Sequence, residues 1–169
     1  MTVRTRLSDP LARSRPELVV PALGRWMASV HALPLDGLQP VLTADLVQLA
    51  LGRLEEGRVD LDQLDRAYRR ARPETLRAQL LGSVPPEAEQ RVAAHPAARF
   101  DSLAFVDGAV ESDLIPTESG DRYRNLGPLV RDLARLIGPE AMDPFFEAYG
   151  VTHPDSRRLD FFMLLDALL

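Results

Sequence analysis

Apolar residues in this chain recur at intervals of three and four for most of its length, one stripe after another, so a fold built largely of packed helices is expected. Leu18, Val19, Ala22, Leu23, Trp26, Met27 and Val30 form the first stripe, with Pro16 suited to its first turn and Leu33-Pro34 ending it. Thr43 is placed to cap a second helix through Leu46, Leu49, Ala50 and Leu54 that stops near Gly57. Asp60 with Gln63 resembles a capping box for a third, carrying Leu61, Leu64, Ala67 and Tyr68. Pro73 opens a fourth, through Leu76, Leu80 and Leu81 to Gly82, and Pro85-Pro86 announces a short fifth that ends by Ala94. Leu126, Leu129, Val130, Leu133, Leu136 and Ile137 before Gly138, then Met142, Phe145, Phe146 and Tyr149 before Gly150, give two more. The last stretch, from Pro154 to Leu169, is apolar on nearly all sides and reads as a buried helix. Either the other helices surround it, or part of it docks against a second copy in a homodimer.

Two stretches break the rhythm. Residues 1–15 show no period and are expected to form a flexible arm, leaving 16–169 as a single domain. Between His95 and Asp121 the apolar residues come in short runs, Leu103 to Val106 and Leu114 with Ile115, separated by Asp107-Gly108, a pair favoured in tight hairpins. A small β-ribbon near residues 103–115, set among six to eight helices, is the expected architecture.

Composition narrows the chemistry. At 169 residues and 46% apolar content the chain can bury one sizeable core. Its net charge of −5 weighs against a nucleic-acid partner and suits a cationic ligand better. No cysteine is present, so disulfides and thiolate nucleophiles are excluded. All 20 basic residues are arginine; this sequence therefore holds no lysine to grip a triphosphate or to form a Schiff base. No signal-peptide core or membrane span is evident, and a cytoplasmic location without a membrane partner is expected.

Four phrases, in order, resemble the aminoglycoside phosphotransferase family, whose fold is kinase-like with a helical C-terminal lobe. LGRWMASVHALP, from Leu23 to Pro34, is similar to the first helix of that lobe with its leucine-histidine-x-x-proline ending, Val30 standing for the usual leucine. LGRLEEGRVDLDQLD, from Leu51 to Asp65, resembles the acidic helix pair on the antibiotic side of the pocket. Asp121, Arg122, Tyr123, Arg124, Asn125 and Leu126 resemble the phrase D-R-Y-x-D-L, and FFEAYG, Pro154-Asp155 and FFMLLDALL resemble the last two helices. The resemblance spans about Pro16 to Leu169. It implies a mainly α fold, the C-lobe without the nucleotide-binding N-lobe, for which the residues before 16 leave no room.

The resemblance also implies a damaged catalytic loop. The family pattern is H-G-D with asparagine five residues later, the aspartate deprotonating the acceptor and the asparagine holding magnesium. Anchored on His95, those positions hold Pro96, Ala97 and Ser102. The second magnesium ligand falls on Asp107 by local wording, on Asp113 by spacing from Asp121, or on Pro116 by matching Leu114-Ile115 to a strand. The expectation is a lobe without kinase activity and without a cofactor. It would bind a small natural-product-like or amine-bearing molecule through Glu55, Glu56, Asp60, Asp62 and Asp166. A reaction needing only an acid or base, such as a cyclisation or isomerisation, would draw on His95, Asp113 or Asp166. The alternative is a non-catalytic interaction module acting through a partner chain. Asp166, in an otherwise apolar helix, requires either an internal arginine or a ligand amine as its partner. His31, His95 and His153 lack the spacing of a metal site, and no G-x-S-x-G elbow is present.

Overall fold

The computed structural model describes residues 5–7, 9–10, 14–59, 68, 70–88, 90–95 and 98–169. Among them are six α-helices: α1 (Pro16–His31), α2 (Thr43–Glu55), α3 (Pro73–Gly82), α4 (Tyr123–Leu136), α5 (Met142–Tyr149) and α6 (Ser156–Leu168). Six short strands accompany them: β1 (Thr5–Arg6), β2 (Gln39–Pro40), β3 (Val92–Ala94), β4 (Ala104–Val106), β5 (Ala109–Glu111) and β6 (Glu118–Gly120). The strands form two small sheets. In the first, β4 lies between β1 and β5, all antiparallel; in the second, β6 pairs parallel with β2 and antiparallel with β3.

Helix boundaries follow the expected signals where those signals are proline and glycine. Pro16 and Pro73 sit in first turns, and α5 stops on Gly150 in the left-handed region at φ 90°. Thr43 is the first helical residue of α2 rather than its cap; extended Leu42 holds the cap position without a side-chain bond. Asp155 does cap α6, accepting from the backbone N–H groups of Arg157 and Arg158 at 3.0 and 3.1 Å.

Three expectations need correction. The short helix expected between Pro86 and Ala94 is not formed: residues 84–88 are irregular, and Val92–Ala94 is a strand buried at every position. A short apolar run buried on both faces is satisfied by sheet pairing, and β6 supplies the partner. The ribbon is shorter and tighter than expected. Asp107 (φ 47°) and Gly108 (φ 89°) form a two-residue turn joining β4 to β5, while Ile115, beyond it, is 76% exposed. The chain around Thr5–Leu7, expected to lie in a loose arm, is tied into the fold: β1 pairs with β4, and Leu7 is fully buried, with its N–H on the Leu103 carbonyl at 3.0 Å. The helix expected from Asp60 falls outside the described residues.

One contiguous core joins these elements, with Leu23 and Met27 of α1, Leu76 and Leu80 of α3, Leu126 and Leu129 of α4, Phe145 of α5, and Phe161 and Phe162 of α6. The apolar C-terminal helix is therefore covered from within the chain, with six of its side chains buried. Close helix approach depends on two glycines. A Cβ on Gly24 would stand 2.5 Å from the Phe145 carbonyl oxygen, and one on Gly127 would stand 3.1 Å from the backbone nitrogen of Met163. The first lets α1 meet α5; the second lets α4 meet α6.

Candidate functional site

The loop that follows β3 is fastened at His95. Its carbonyl accepts a 2.8 Å hydrogen bond from the Asn125 amide at the start of α4, and the Asn125 oxygen faces His31 Nε2 at 3.5 Å. His31 Nδ1 lies 2.8 Å from the Tyr149 hydroxyl, whose ring meets the imidazole edge-on. The neutral imidazole satisfies this chain of contacts, its Nε2–H donating to Asn125 and its Nδ1 accepting from Tyr149. Burial holds the His31 pKa down at about 4; the Asn125 hydrogen bond pulls upward, and the charge of Arg122 adds to the lowering. His31 and His95, far apart in sequence, thus join through Asn125 as structural parts of one strap. The resemblance to the leucine-histidine-x-x-proline phrase marked His31, but nothing in the sequence paired it with Asn125.

Beyond His95, the turn Phe100–Ser102 closes on itself. Ser102 Oγ accepts from the Arg99 N–H at 3.0 Å and donates to the Arg99 carbonyl at 2.7 Å. Of the aspartates weighed for magnesium, Asp107 sits in the hairpin turn, and Asp113 lies exposed on the irregular link between β5 and β6. Among the described residues no group of three histidine, aspartate or glutamate side chains stands close enough to hold a metal ion.

Asp166 is where charge gathers. Arg99 approaches both its carboxylate oxygens, with Nη1 on Oδ2 at 2.6 Å, and Arg131 Nη2 reaches the same Oδ2 at 2.9 Å. Of the two partners the sequence allowed for Asp166, the structure supplies internal arginines. Beside Arg131 on α4, Asp132 lies 3.6 Å from Arg135 and 4.0 Å from Arg131. Burial raises the Asp132 pKa, against the opposing pull of Arg131, Arg135 and Arg99 and of the Phe100 N–H. Arg124, the second residue of α4, is ion-paired with Glu118 of β6. Against this cluster opens a cavity of about 140 Å³ lined by Leu46, Arg99, Arg124, Phe162, Leu165, Asp166 and Leu169.

The other expected ligand carboxylates are elsewhere. Glu55 is ion-paired with Arg77 and Glu56 with Arg58, all four side chains largely in solvent, and neither glutamate lines the cavity beside Asp166. Asp60 and Asp62 lie outside the described residues. The residues missed are Arg99, Arg124, Arg131 and Arg135. The last three recur at seven and four along α4, a spacing that places them on one face and was available as a signal.

The phrase beginning at Asp121 has a structural use. Asp121 Oδ1 accepts from the Tyr123 N–H at 2.9 Å and its Oδ2 pairs with Arg158, which also donates to the Pro86 carbonyl at 2.7 Å. The Tyr123 hydroxyl accepts from the Asp155 N–H at 2.8 Å. These bonds stitch the start of α4 to the start of α6, beside a second cleft of about 410 Å³ that includes Glu87, Gln90, Arg122 and Arg158.

No family model matches the chain. It is 31% identical over 156 residues to an aminoglycoside 3′-phosphotransferase of Escherichia coli. In sequence and in fold the chain is similar to aminoglycoside phosphotransferases. The aligned stretch is 89% of this chain and 56% of that protein, so the chain spans about half the length of the curated relative it matches. A solved aminoglycoside-3′-phosphotransferase of type VIII superposes with a TM-score of 0.81 at 26% identity, over 100% of this chain and 67% of the other. Aminoglycoside phosphotransferase APH(3″)-Id of Streptomyces rimosus, also solved with ADP and streptomycin, gives 0.72 at 21% identity, over 90% and 63%. The fold is thus the mainly helical lobe of the kinase-like phosphotransferases, with the short ribbon β4–β5. No helix among the described residues is long and apolar enough to cross a membrane.

Proposed function

We propose that this chain is a phosphotransferase-like lobe that holds a small organic molecule and does not itself transfer phosphate. The observation that carries the reading is the loop after β3. Matched to the resembled H-G-D pattern on His95, the general-base position is Ala97 and the magnesium-amide position is Ser102. A methyl group cannot take a proton from an acceptor hydroxyl. The Ser102 hydroxyl is turned back onto Arg99, where it both accepts and donates, and a hydroxyl so engaged is a poor replacement for an amide oxygen on magnesium.

Binding draws support from the cavity beside α6, which combines apolar walls with fixed polar groups, the usual make-up of a small-molecule site. Acid–base catalysis draws less, because both oxygens of Asp166 are engaged by guanidiniums and Asp113 is exposed. The alternative of a module docking through the C-terminal helix has little apolar surface to use, since that helix spends its large side chains on the core.

The test is transfer of labelled phosphate from ATP, with magnesium, to a panel of aminoglycosides and simpler amino alcohols in the presence of the purified chain. No label above a heat-inactivated control is expected. Label appearing in any acceptor, and only with the folded chain, would overturn the reading.

A further inference from the structure

The cavity of about 140 Å³ has walls of two kinds. Leu46, Phe162, Leu165 and Leu169 are apolar; Arg99, Arg124 and Asp166 are charged, and each of these three already has its counter-ion. Arg99 turns both Nη atoms onto the Asp166 carboxylate, and Arg124 Nη1 is buried against Glu118 Oε2. Arg131, reaching Asp166 from α4, makes that carboxylate the partner of two guanidiniums. The terminal carboxylate, on Leu169 in the same lining, offsets the second. Arg99, Arg124 and Arg131 thus stand against Glu118, Asp166 and the terminal carboxylate, while Asp132 and Arg135 pair with each other outside the lining.

A balanced lining selects against ions of either sign. An ammonium or a carboxylate entering so small a space gives up its hydration and finds no unpaired charge to replace it. Hydrogen-bonding capacity is not exhausted in the same way. Asp166 Oδ2 is shared by Arg99 Nη1 and Arg131 Nη2, at 2.6 and 2.9 Å, whereas among the described residues Oδ1 is approached by Arg99 Nη2 alone. A carboxylate oxygen has two lone pairs, so Oδ1 keeps one acceptor position. A neutral O–H can use it without bringing a charge into the cavity. The size limits the rest of the molecule, because an apolar cavity of about 150 Å³ accommodates a single benzene ring.

We propose that this cavity binds a small neutral alcohol, its hydroxyl donating to Asp166 and a single-ring or branched apolar body against Leu46, Phe162 and Leu165. The proposal rests on the reading that the lobe holds a small molecule, and it removes the charge expected of that molecule from the acidic residues of the sequence.

Benzyl alcohol, benzoate, benzylamine and toluene share a ring and differ in charge or in the hydroxyl, so they separate the two parts of the proposal. Titrated into the full chain at pH 7.5, with binding read by calorimetry or ligand-observed NMR, benzyl alcohol is expected to saturate. Benzoate and benzylamine, both ionised, should bind at least about tenfold more weakly, and so should toluene, the scale of a lost hydrogen bond to a charged group. Leu46→Trp, which fills the cavity without altering its charge, should abolish binding, whereas Leu49→Trp, on the exposed side of the same helix, should leave it unchanged. Far-UV circular dichroism checks that both variants fold. If Leu46→Trp does not, the methyl signals of Leu46, Leu165 and Leu169 in the unaltered chain decide, because benzyl alcohol should shift them. Either ion binding as tightly as benzyl alcohol overturns the neutral assignment, and toluene doing so overturns the bond to Asp166; both leave the small-molecule reading standing. Binding that survives in folded Leu46→Trp, or leaves those methyl signals unmoved, overturns the proposal by placing the ligand elsewhere. Silence from all four compounds overturns it together with the reading of this cavity as a binding site, while the absence of phosphate transfer is judged separately by the labelled-ATP assay.

Discussion

Keeping His31 buried and neutral should cost the fold stability as pH falls from about 6.5 towards 4, a window that opens above the range in which most carboxylates titrate. The imidazole is buried between Asn125 and Tyr149, and its pKa falls from an ordinary 6.5 to about 4 in the folded chain. The unfolded chain therefore takes up a proton between about pH 6.5 and 4 that the folded chain refuses, and stability is lost as pH falls through that window. At pH 4.5 the unfolded state is almost fully protonated at this site and the folded state only in part, which amounts to about 2–3 kcal/mol relative to pH 7.5. Asp132 works in the opposite sense: its folded pKa is raised, so it adds stability on acidification, which is lost again as pH rises through that folded pKa. A comparison with His31→Gln removes this and every other background titration. The measurement is urea unfolding of both proteins at pH 7.5 and 4.5, with the His31 ring signal followed by NMR to locate its midpoint. Glutamine keeps a donor and an acceptor, so the variant starts weaker but falls less. Parallel loss of stability in the two proteins, or an imidazole titrating near 6.5, would refute the account.

Three further outcomes test the packing. Asp166→Asn removes the counter-charge of Arg99 and Arg131; because the three side chains are 15%, 33% and 19% exposed, the cost should lie below that of a fully buried pair, at about 2 kcal/mol. Thermal unfolding should show a melting temperature lower by about 4–8 °C, against almost no change for Glu55→Gln in its exposed pair. Gly24→Ala forces a methyl against the Phe145 carbonyl and should destabilise by about 1–3 kcal/mol, whereas Gly52→Ala, in open space on α2, should stabilise by about 0.5–1 kcal/mol. Leu7→Ala should cost about 2–5 kcal/mol in urea unfolding if the segment around β1 belongs to the core, and Leu49→Ala, half in solvent, under about 0.5 kcal/mol. Equal, small effects at Leu7 and Leu49 would mean that the N-terminal segment is not held.

The helices were legible because their signals are local. Pro16, Pro73 and Gly150 act within one turn, the stripes of α1 and α4 require only a period of three to four, and α6 declares itself by being apolar on nearly all sides. Strands were less so. Val92–Ala94 and Thr5–Arg6 are two or three residues long and are stabilised by partners about 26 and 100 positions away, so nothing in their own composition separates them from a helix end or a loose arm. The exception proves the mechanism: Asp107-Gly108 encodes its hairpin in two adjacent residues, and the turn was readable even though the second strand proved shorter than expected.

Charge in the candidate site was legible only as a question. A carboxylate at Asp166, flanked by Leu165 and Ala167, had to have a cation, but which one depends on bringing the turn after β3 and the middle of α4 onto α6. Counting acidic residues along the sequence pointed to an amine ligand because it left out the arginines that folding sets beside them: Glu56 has Arg58 two residues on, but Arg77 lies 22 residues from Glu55 and Arg99 lies 67 from Asp166. Once folded, each carboxylate answers to the arginines that packing brings beside it rather than to the net charge of the chain.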